Sequence, residues 1–163
     1  MKPRGLVSAA ITQIGFQMLI AVRLMRLARD LHVPGGAQVL SRAIRHLYGA
    51  EIHWNAEIAP GISIVHGNGL VISHSSVVGA NCLLFQHVTL GESMHATRRI
   101  VGSPTLGENV QVMPGAVVLG PIQIGAGSKI GANAVVDDDV APRSIVRSPT
   151  SDVLARPGAK DTE

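Results

Sequence analysis

Aliphatic residues recur at every sixth position over most of the chain, with small or polar residues between them. The longest unbroken run has six members: Leu106, Val112, Val118, Ile124, Ile130 and Val136. Two shorter runs precede it, namely Ile52, Ile58 and Ile64, then Ile72, Val78, Leu84 and Leu90. A period of six fits neither an α-helix nor an alternating strand, and it is typical of hexapeptide β-helices. The pattern therefore predicts stacked triangular coils, with the aliphatic residues filling the interior of a prism.

The fourth residue after each aliphatic position is small or aliphatic as well, as at Ala116, Ile122 and Ala134. These side chains are predicted to lie where the wall of the prism bends. Cys82 occupies one such position, which predicts a small buried side chain. It is the only cysteine, so the chain has no internal disulfide and suits a reducing compartment.

The period breaks twice, and each break predicts a departure from the regular wall. Two extra residues lengthen the step from Ile64 to Ile72, within the sequence HGNGL. Sixteen positions separate Leu90 from Leu106, where twelve are expected to keep the phase. We expect the polar residues 91–104 to leave the coil as a loop, and loops on rigid scaffolds often carry functional sites.

The N-terminal part reads as two helices, the first over residues 4–32 and the second closed by Gly49. The stretch from residue 6 to residue 22 carries no charge, so three interpretations stay open: packing in the core or between subunits, which we favour, peripheral membrane contact, or a membrane span. The predicted organisation is a helical segment, a β-helix domain and a tail, at residues 1–49, 50–146 and 147–163.

Composition narrows the function classes. Aromatic residues make up only 2% of the chain, so platforms for stacking nucleic-acid bases are nearly absent and a nucleic-acid role is not expected. The net charge of +3 suits an anionic cofactor or a membrane surface. The histidines follow the spacing of the coil rather than that of a tetrahedral ligand set, so no metal is expected. The predicted location is cytoplasmic, with contact to the inner face of the membrane left open.

Four segments of the chain resemble motifs of the serine acetyltransferase family and of its relatives that acetylate sugars and exopolysaccharides. They are EIH, VHGNG, VTLG and GSPTLG, at residues 51–53, 65–69, 88–91 and 102–107. The resemblance implies a left-handed parallel β-helix that assembles as a homotrimer with sites between neighbouring subunits. It also implies direct transfer of an acyl group from acetyl-CoA to a substrate hydroxyl, without a covalent enzyme intermediate.

The same resemblance implies that His66 is the general base, and an imidazole has a suitable pKa for taking a hydroxyl proton near neutral pH. Glu51 stands where the family has an aspartate. It is expected to orient the second nitrogen of the imidazole, because a carboxylate in that place fixes the tautomer.

The expected acceptor is a sugar, an exopolysaccharide unit or a small metabolite rather than free serine. Val65 stands where the family has an acid, and Gly102 and Ser103 replace an Arg-His pair, so the charges of serine would be poorly paired. Either His87 or His95 is a candidate for the missing second histidine. The residues predicted to bind the acceptor are Trp54, Val65, His87, His95 and Ser103.

Coenzyme A requires an exposed groove for its pantetheine arm and cations for its phosphates. By resemblance the groove runs past Gly91, Pro114, Lys129, Ala132 and Arg147, with Arg143 as an alternative cation. Three other interpretations stay open: a serine O-acetyltransferase with a diverged pocket, a non-catalytic β-helix that serves in assembly or membrane docking, and a metal-dependent hydrolase.

Overall fold

The computed structural model describes residues 12–93 and 102–149. Helix α1 (Ile14–Asp30) and helix α2 (Gly36–Tyr48) precede the strands. Gly49, with φ of 60°, ends α2 in the left-handed conformation, as the sequence predicts. Within the described ranges, neither helix is long and apolar enough to cross a bilayer.

Fourteen short strands follow in the described part of the chain. Their bounds are β1 (Glu51–Ile52), β2 (Glu57–Ile58), β3 (Ser63–Ile64), β4 (Val71–Ile72), β5 (Val77–Val78), β6 (Leu83–Leu84), β7 (Thr89–Gly91), β8 (Thr105–Leu106), β9 (Gln111–Val112), β10 (Val117–Leu119), β11 (Gln123–Ile124), β12 (Lys129–Ile130), β13 (Val135–Val136) and β14 (Ile145–Val146).

The strands form three parallel sheets, which are the faces of a triangular prism. Face A has the order β1-β4-β7-β10-β13, face B the order β2-β5-β8-β11, and face C the order β3-β6-β9-β12-β14. Three successive strands, one on each face, make a coil, and five coils stack along the prism. In the fifth coil, Val140 bridges to Ile124 on face B in place of a strand. The turns between strands form an A–B corner, a B–C corner and a C–A corner.

The hexad grid of the sequence appears in the structure as columns of paired residues. Face A stacks Ile52, Ile72, Leu90, Val118 and Val136 in register. Face B stacks Ile58, Val78, Leu106 and Ile124, and face C stacks Ile64, Leu84, Val112, Ile130 and Val146. Most of these side chains are buried, so the prediction of a hexapeptide β-helix with an aliphatic interior is confirmed.

Both breaks in the period fall at corners of the prism. The two extra residues after Ile64 enlarge the C–A corner between the first and second coils. At the second break the expected phase is wrong: β7 is followed directly by β8 on the next face, so Leu90 and Leu106 are one hexad step apart. Because β8 still pairs with β5 in register, the extra residues do not disturb the pairing of face B, and residues 94–101 of the predicted loop lie outside the described ranges.

The helices cap the end of the prism at which β1 and β2 are edge strands. Arg23 donates hydrogen bonds from Nη1 to the carbonyl oxygen of Ile58 at 2.5 Å and from Nη2 to that of Ala59 at 2.6 Å. Ser41 Oγ donates to the carbonyl of Ile52 at 2.7 Å. An exposed strand edge would otherwise present unpaired carbonyl groups, so these side chains close the stack.

The outward-facing side chains distinguish face A from the other two faces. Below the first coil its outer column consists of Val71, Thr89, Val117 and Val135. The outer columns of faces B and C include Glu57, Gln123, Gln111 and Lys129. Val135 is 67% exposed in a single chain. An outward-facing column of β-branched side chains is typical of a surface that a partner covers.

Gly15 marks the closest approach of α1 to the prism, because a Cβ atom there would collide with the carbonyl oxygen of Ile64. Alanine normally stabilises a helix interior relative to glycine. We expect Gly15→Ala to do the opposite and to lower the free energy of unfolding by about 1–3 kcal/mol, measured by urea denaturation. Gly36→Ala in α2 is the matched control, since its Cβ would meet only side-chain atoms, at 3.1 Å or more. Equal stability of the two variants would contradict the prediction.

Candidate active site

The C–A corner requires left-handed backbone at the third residue after each inward aliphatic residue. Gly67, His87, Gly115 and Asn133 fill that position in successive coils. The two-residue insertion adds His66 as a further left-handed residue, with φ of 65°. That conformation costs a non-glycine residue about 1 kcal/mol or more, and strained residues of this kind often lie at functional sites.

The glycines around His66 are required by close packing. A Cβ atom on Gly67 would meet the sulfur of Met18 in α1 at 2.6 Å, and one on Gly69 would collide with the ring of His87. Both glycines also have positive φ values. The two glycines of the HGNG sequence therefore allow the chain to turn in the narrow space between α1 and the second coil. The His66 side chain stays exposed.

His66 lies in a cleft of about 460 Å³ between the first coil and the start of α1. Its lining comes from two segments, residues 12–15 and residues 64–68, with Val65 half-buried beside the histidine. The predicted base is thus accessible from solvent, in a concave site that could admit a small substrate.

The predicted orienting carboxylate does not contact His66 within one chain. Glu51, at the start of β1 on face A, forms an ion pair with Arg45 of α2. Among the described residues, no hydrogen bond or ion pair joins Glu51 to His66. The Glu51–His66 pair therefore stays a prediction.

Three of the residues predicted to bind CoA lie at the same corner as His66. Pro114, Ala132 and Arg147 follow β9, β12 and β14 in the third, fourth and fifth coils, and the carbonyl of Pro114 accepts a hydrogen bond from the backbone N–H of Asn133 at 3.0 Å. Paired strands lie about 4.8 Å apart, so Arg147 is roughly 19 Å below His66 along the prism.

The other two predicted CoA-binding residues lie elsewhere. Lys129 is the exposed first residue of β12 on face C, and the buried Ile130 separates it from the C–A corner of the fourth coil. Gly91 ends β7 at the far side of face A, next to the A–B corner, and is not grouped with the others in a single chain.

A second cluster of side chains occupies the A–B corner. His53 stacks on Trp54 with ring centroids 3.9 Å apart, and its ring meets that of His74 edge-on at 5.7 Å. Nδ1 of His74 lies 3.2 Å from Oε1 of Glu92. Trp54, His74 and Glu92 each stand two residues after the inward residue of face A, so the stacking of coils brings them together.

Burial lowers the pKa of His53 below its ordinary value, and the neighbouring His74 and Arg29 lower it further, while Glu51 acts in the opposite direction. His53 is therefore neutral at neutral pH. Its ring acts there as a flat wall rather than as a charge.

The remaining residues predicted to bind the acceptor are dispersed. The Ser103 hydroxyl is buried and hydrogen-bonded to those of Ser73 and, at 2.8 Å, Ser75, so it ties the segment before β8 to the second coil. His87 is exposed at the C–A corner, one coil below His66. His95 lies outside the described residues.

Sequence reasoning missed two polar residues of the corners. Glu92 is in register with Trp54 and His74. An alignment of the hexads one above the other would have identified it, because all three residues stand two positions after an inward residue of face A. Gln86, at the C–A corner, has a buried Oε1 that accepts no hydrogen bond among the described residues. Nothing in its position within the repeat distinguishes it from an ordinary turn residue.

Two other features are structural. A cleft of about 510 Å³ between α1 and face B is lined by three arginines, but Arg23 is engaged with backbone carbonyls. Cys82 is buried as predicted, its thiol donates to the carbonyl of Gly107 at 3.1 Å, and burial raises its pKa. In the described ranges, no group of three or more His, Cys, Asp or Glu side chains is placed to hold a metal ion.

Comparison with known sequences finds enzymes that act through this kind of scaffold. Residues 103–138 match the family described as bacterial transferase hexapeptide (six repeats). The serine acetyltransferase of Synechococcus elongatus is 40% identical over 146 residues, which cover 90% of this chain and 59% of that protein. The serine acetyltransferase of Helicobacter pylori is 39% identical, covering 77% of this chain and 72% of that protein.

Solved structures agree with the sequence matches. Serine acetyltransferase of Neisseria gonorrhoeae in complex with serine is 30% identical, with a TM-score of 0.76, and the match covers 92% of this chain and 59% of that one. The soybean apoenzyme is 33% identical, with a TM-score of 0.76, covering 85% of this chain and 57% of that one. The fold is thus the left-handed parallel β-helix that the resemblance implied. This chain spans slightly less than three fifths of the length of three of these four relatives.

The A–B corner cluster yields a prediction about proton binding. His74→Gln removes the electrostatic interaction by which His74 lowers the pKa of His53, so the pKa of His53 should rise, while burial should still hold it below its ordinary value. Titration of the His53 ring protons by NMR measures both changes. A pKa of His53 that falls or stays unchanged would show that the two rings do not interact electrostatically.

Proposed function

Because this chain belongs to the serine acetyltransferase family of hexapeptide-repeat transferases, we propose that it is an acetyl-CoA-dependent O-acetyltransferase with His66 as the general base. The observation that carries the proposal is the position of His66. It is an exposed left-handed residue at an insertion in an otherwise regular prism, and it lines a cleft.

His66 would accept the proton of the acceptor hydroxyl as the oxygen attacks the thioester carbonyl carbon. The carbon–sulfur bond then breaks, and the protonated imidazole returns the proton to the departing thiolate. The histidine is regenerated, so the step requires no covalent bond to the enzyme. Proximity supplies much of the rate, because both substrates are held beside one base.

The relatives favour L-serine as the acceptor over the sugar or other non-serine acceptor expected from Val65, Gly102 and Ser103. The sequences and structures described above are of serine acetyltransferases, and the Neisseria structure is in complex with serine. We therefore adopt the alternative that the sequence left open, a serine O-acetyltransferase. Our proposal places the acceptor in the cleft beside His66.

The C–A corner suits the other substrate. Below His66 the wall exposes a turn in each coil, and the exposed cationic side chains Lys129, Arg143 and Arg147 lie near the end of the prism. CoA separates its thioester from its phosphates by the pantetheine arm. We propose that the arm follows this corner and that the phosphates meet these cations.

The proposal includes a homotrimer. The outer column of face A carries β-branched side chains in four successive coils, three valines and Thr89, and in a single chain nothing among the described residues covers Val135. Closed rings of identical subunits bury one patch of each chain against a different patch of the next. Face A is the surface of the prism best suited to such burial.

Replacement of the proposed base should abolish turnover without unfolding the protein. We expect His66→Asn to lower kcat by about a hundredfold or more, because asparagine tolerates the left-handed conformation but cannot take the proton. The measurement is thiol release from acetyl-CoA, with circular dichroism as the check on folding. His32→Asn is the matched control, since His32 also has positive φ (53°) and lies outside the cleft. Unchanged activity in His66→Asn would favour a non-catalytic β-helix.

The acceptor is identified by the same assay run with different hydroxyl compounds. We expect thiol release with L-serine to exceed release with free monosaccharides, and mass spectrometry to detect O-acetylserine. Preferential acetylation of a saccharide would instead support the non-serine acceptor. Loss of activity on treatment with a chelator would point to a metal-dependent reaction.

A further inference from the structure

The pair formed by His74 and Glu92 is unlike the other ion pair described. Arg45 compensates the charge of Glu51, whereas the partner of Glu92 is a histidine. Among the described residues, no lysine or arginine pairs with Glu92. Its Oε1 is buried and has no hydrogen-bond partner there, although Nδ1 of His74 lies 3.2 Å away. A half-buried carboxylate without a fixed counter-ion favours the arrival of a cation.

The contact with Glu92 favours one neutral tautomer of His74. A proton on Nδ1 would face the buried Oε1 of Glu92, 3.2 Å away, and the lone pair would then lie on Nε2. The side chain of His74 is 51% exposed, so this lone pair is accessible to a ligand. The pair thus presents a hydrogen-bond acceptor with a negative charge behind it.

The surroundings suit a small ammonium group. His53 is stacked on Trp54 and meets His74 edge-on, which gives the pair an aromatic wall. Since burial lowers the pKa of His53, that ring stays neutral and does not repel a cation. An ammonium group placed here would donate to Nε2 of His74 and interact with the charge of Glu92.

The geometry of the prism relates this corner to the catalytic one. The C–A corner and the A–B corner are the two edges of face A, whose outer column is β-branched below the first coil. Three prisms that turn the same face toward a threefold axis meet at the edges of that face. In such a ring, the A–B corner of one protomer lies against the C–A corner of the next, where His66 stands.

We propose that His74 and Glu92 bind the ammonium group of the amino-acid acceptor, and that they do so beside His66 of the partner subunit. This inference rests on the proposed serine acetyltransferase activity and names the residues that recognise the acceptor. His74 contacts the ammonium group, and Glu92 orients His74 and supplies the charge. The pair provides the anionic partner that Val65, next to His66 in sequence, does not.

The test compares L-serine with 3-hydroxypropanoate, which has the same hydroxyl and carboxylate groups but no ammonium. We expect Glu92→Gln and His74→Gln to raise the KM for L-serine by about tenfold to a hundredfold. The inhibition constant of 3-hydroxypropanoate against L-serine should change by less than about twofold, because this ligand makes no contact with the pair.

Glu108→Gln is the matched control, since Glu108 is an exposed carboxylate in the same coil, at the B–C corner. Circular dichroism and the size of the assembly show whether each variant is folded, and Glu92→Asp should recover part of the affinity. If both variants bind the two compounds with wild-type constants, or lose both to the same extent, the pair only ties the second coil to the third and the inference fails. If the wild-type chain does not acetylate L-serine, the proposed function itself fails.

Mixed trimers test the placement across subunits. In a random equimolar mixture of His66→Ala and Glu92→Gln chains, one interface in four combines an intact His66 with an intact Glu92 of the neighbouring chain. We expect a component of the reaction that has the wild-type KM for L-serine and about a quarter of the wild-type maximal rate per chain. Its absence would place both residues in the site of a single chain and overturn the arrangement.

Discussion

The in-register stacking of aliphatic side chains is the constraint on which the rest of the structure depends. Each column pairs identical hexad positions of successive coils, as Ile72 pairs with Leu90 and Leu90 with Val118 on face A. Burial of each such side chain is worth about 1.5–3 kcal/mol, and a slip of one residue would turn the whole column outward. The columns fix the position of every turn along the prism axis. They therefore also determine which corner residues, far apart in sequence, become neighbours.

That constraint explains why both candidate sites lie at corners. The faces are fully used by strand pairing and by the interior columns, so only the turns can accept extra residues without disturbing the register. Face A continues unbroken above and below the two-residue insertion and the extruded loop. The insertion places His66 outside the wall, and Glu92 lies at the corner where the second break in the period falls. The chemistry is therefore placed where the repeat tolerates irregularity, on a scaffold that remains rigid.

Stacking also explains what could be predicted from the sequence. The period of six located the interior residues and both irregular corners, because each hexad repeats one local rule. It could not show that Glu51 pairs with Arg45, since that contact joins a helix to a strand edge and obeys no repeat. The phase of the second break was wrong for a related reason. The predicted phase was obtained by counting residues. An insertion between β7 and β8 adds residues without adding a strand to any face, so the residue count no longer gives the number of coils.

The two corners of face A also bear on why a single chain is incomplete. His66 has a cleft but no carboxylate within hydrogen-bonding reach among the described residues, while Glu92 and His74 form a carboxylate–imidazole pair remote from the predicted CoA-binding corner. The C–A corner thus has the proposed base without a carboxylate, and the A–B corner has a carboxylate away from the proposed CoA-binding groove. Face A lies between them, and the proposed closed ring, which buries that face, would bring the unlike corners together. In the proposed homotrimer, the surface that drives association and the site that carries the chemistry follow from the same geometry, because a threefold ring of prisms that turn face A toward the axis joins the two edges of that face.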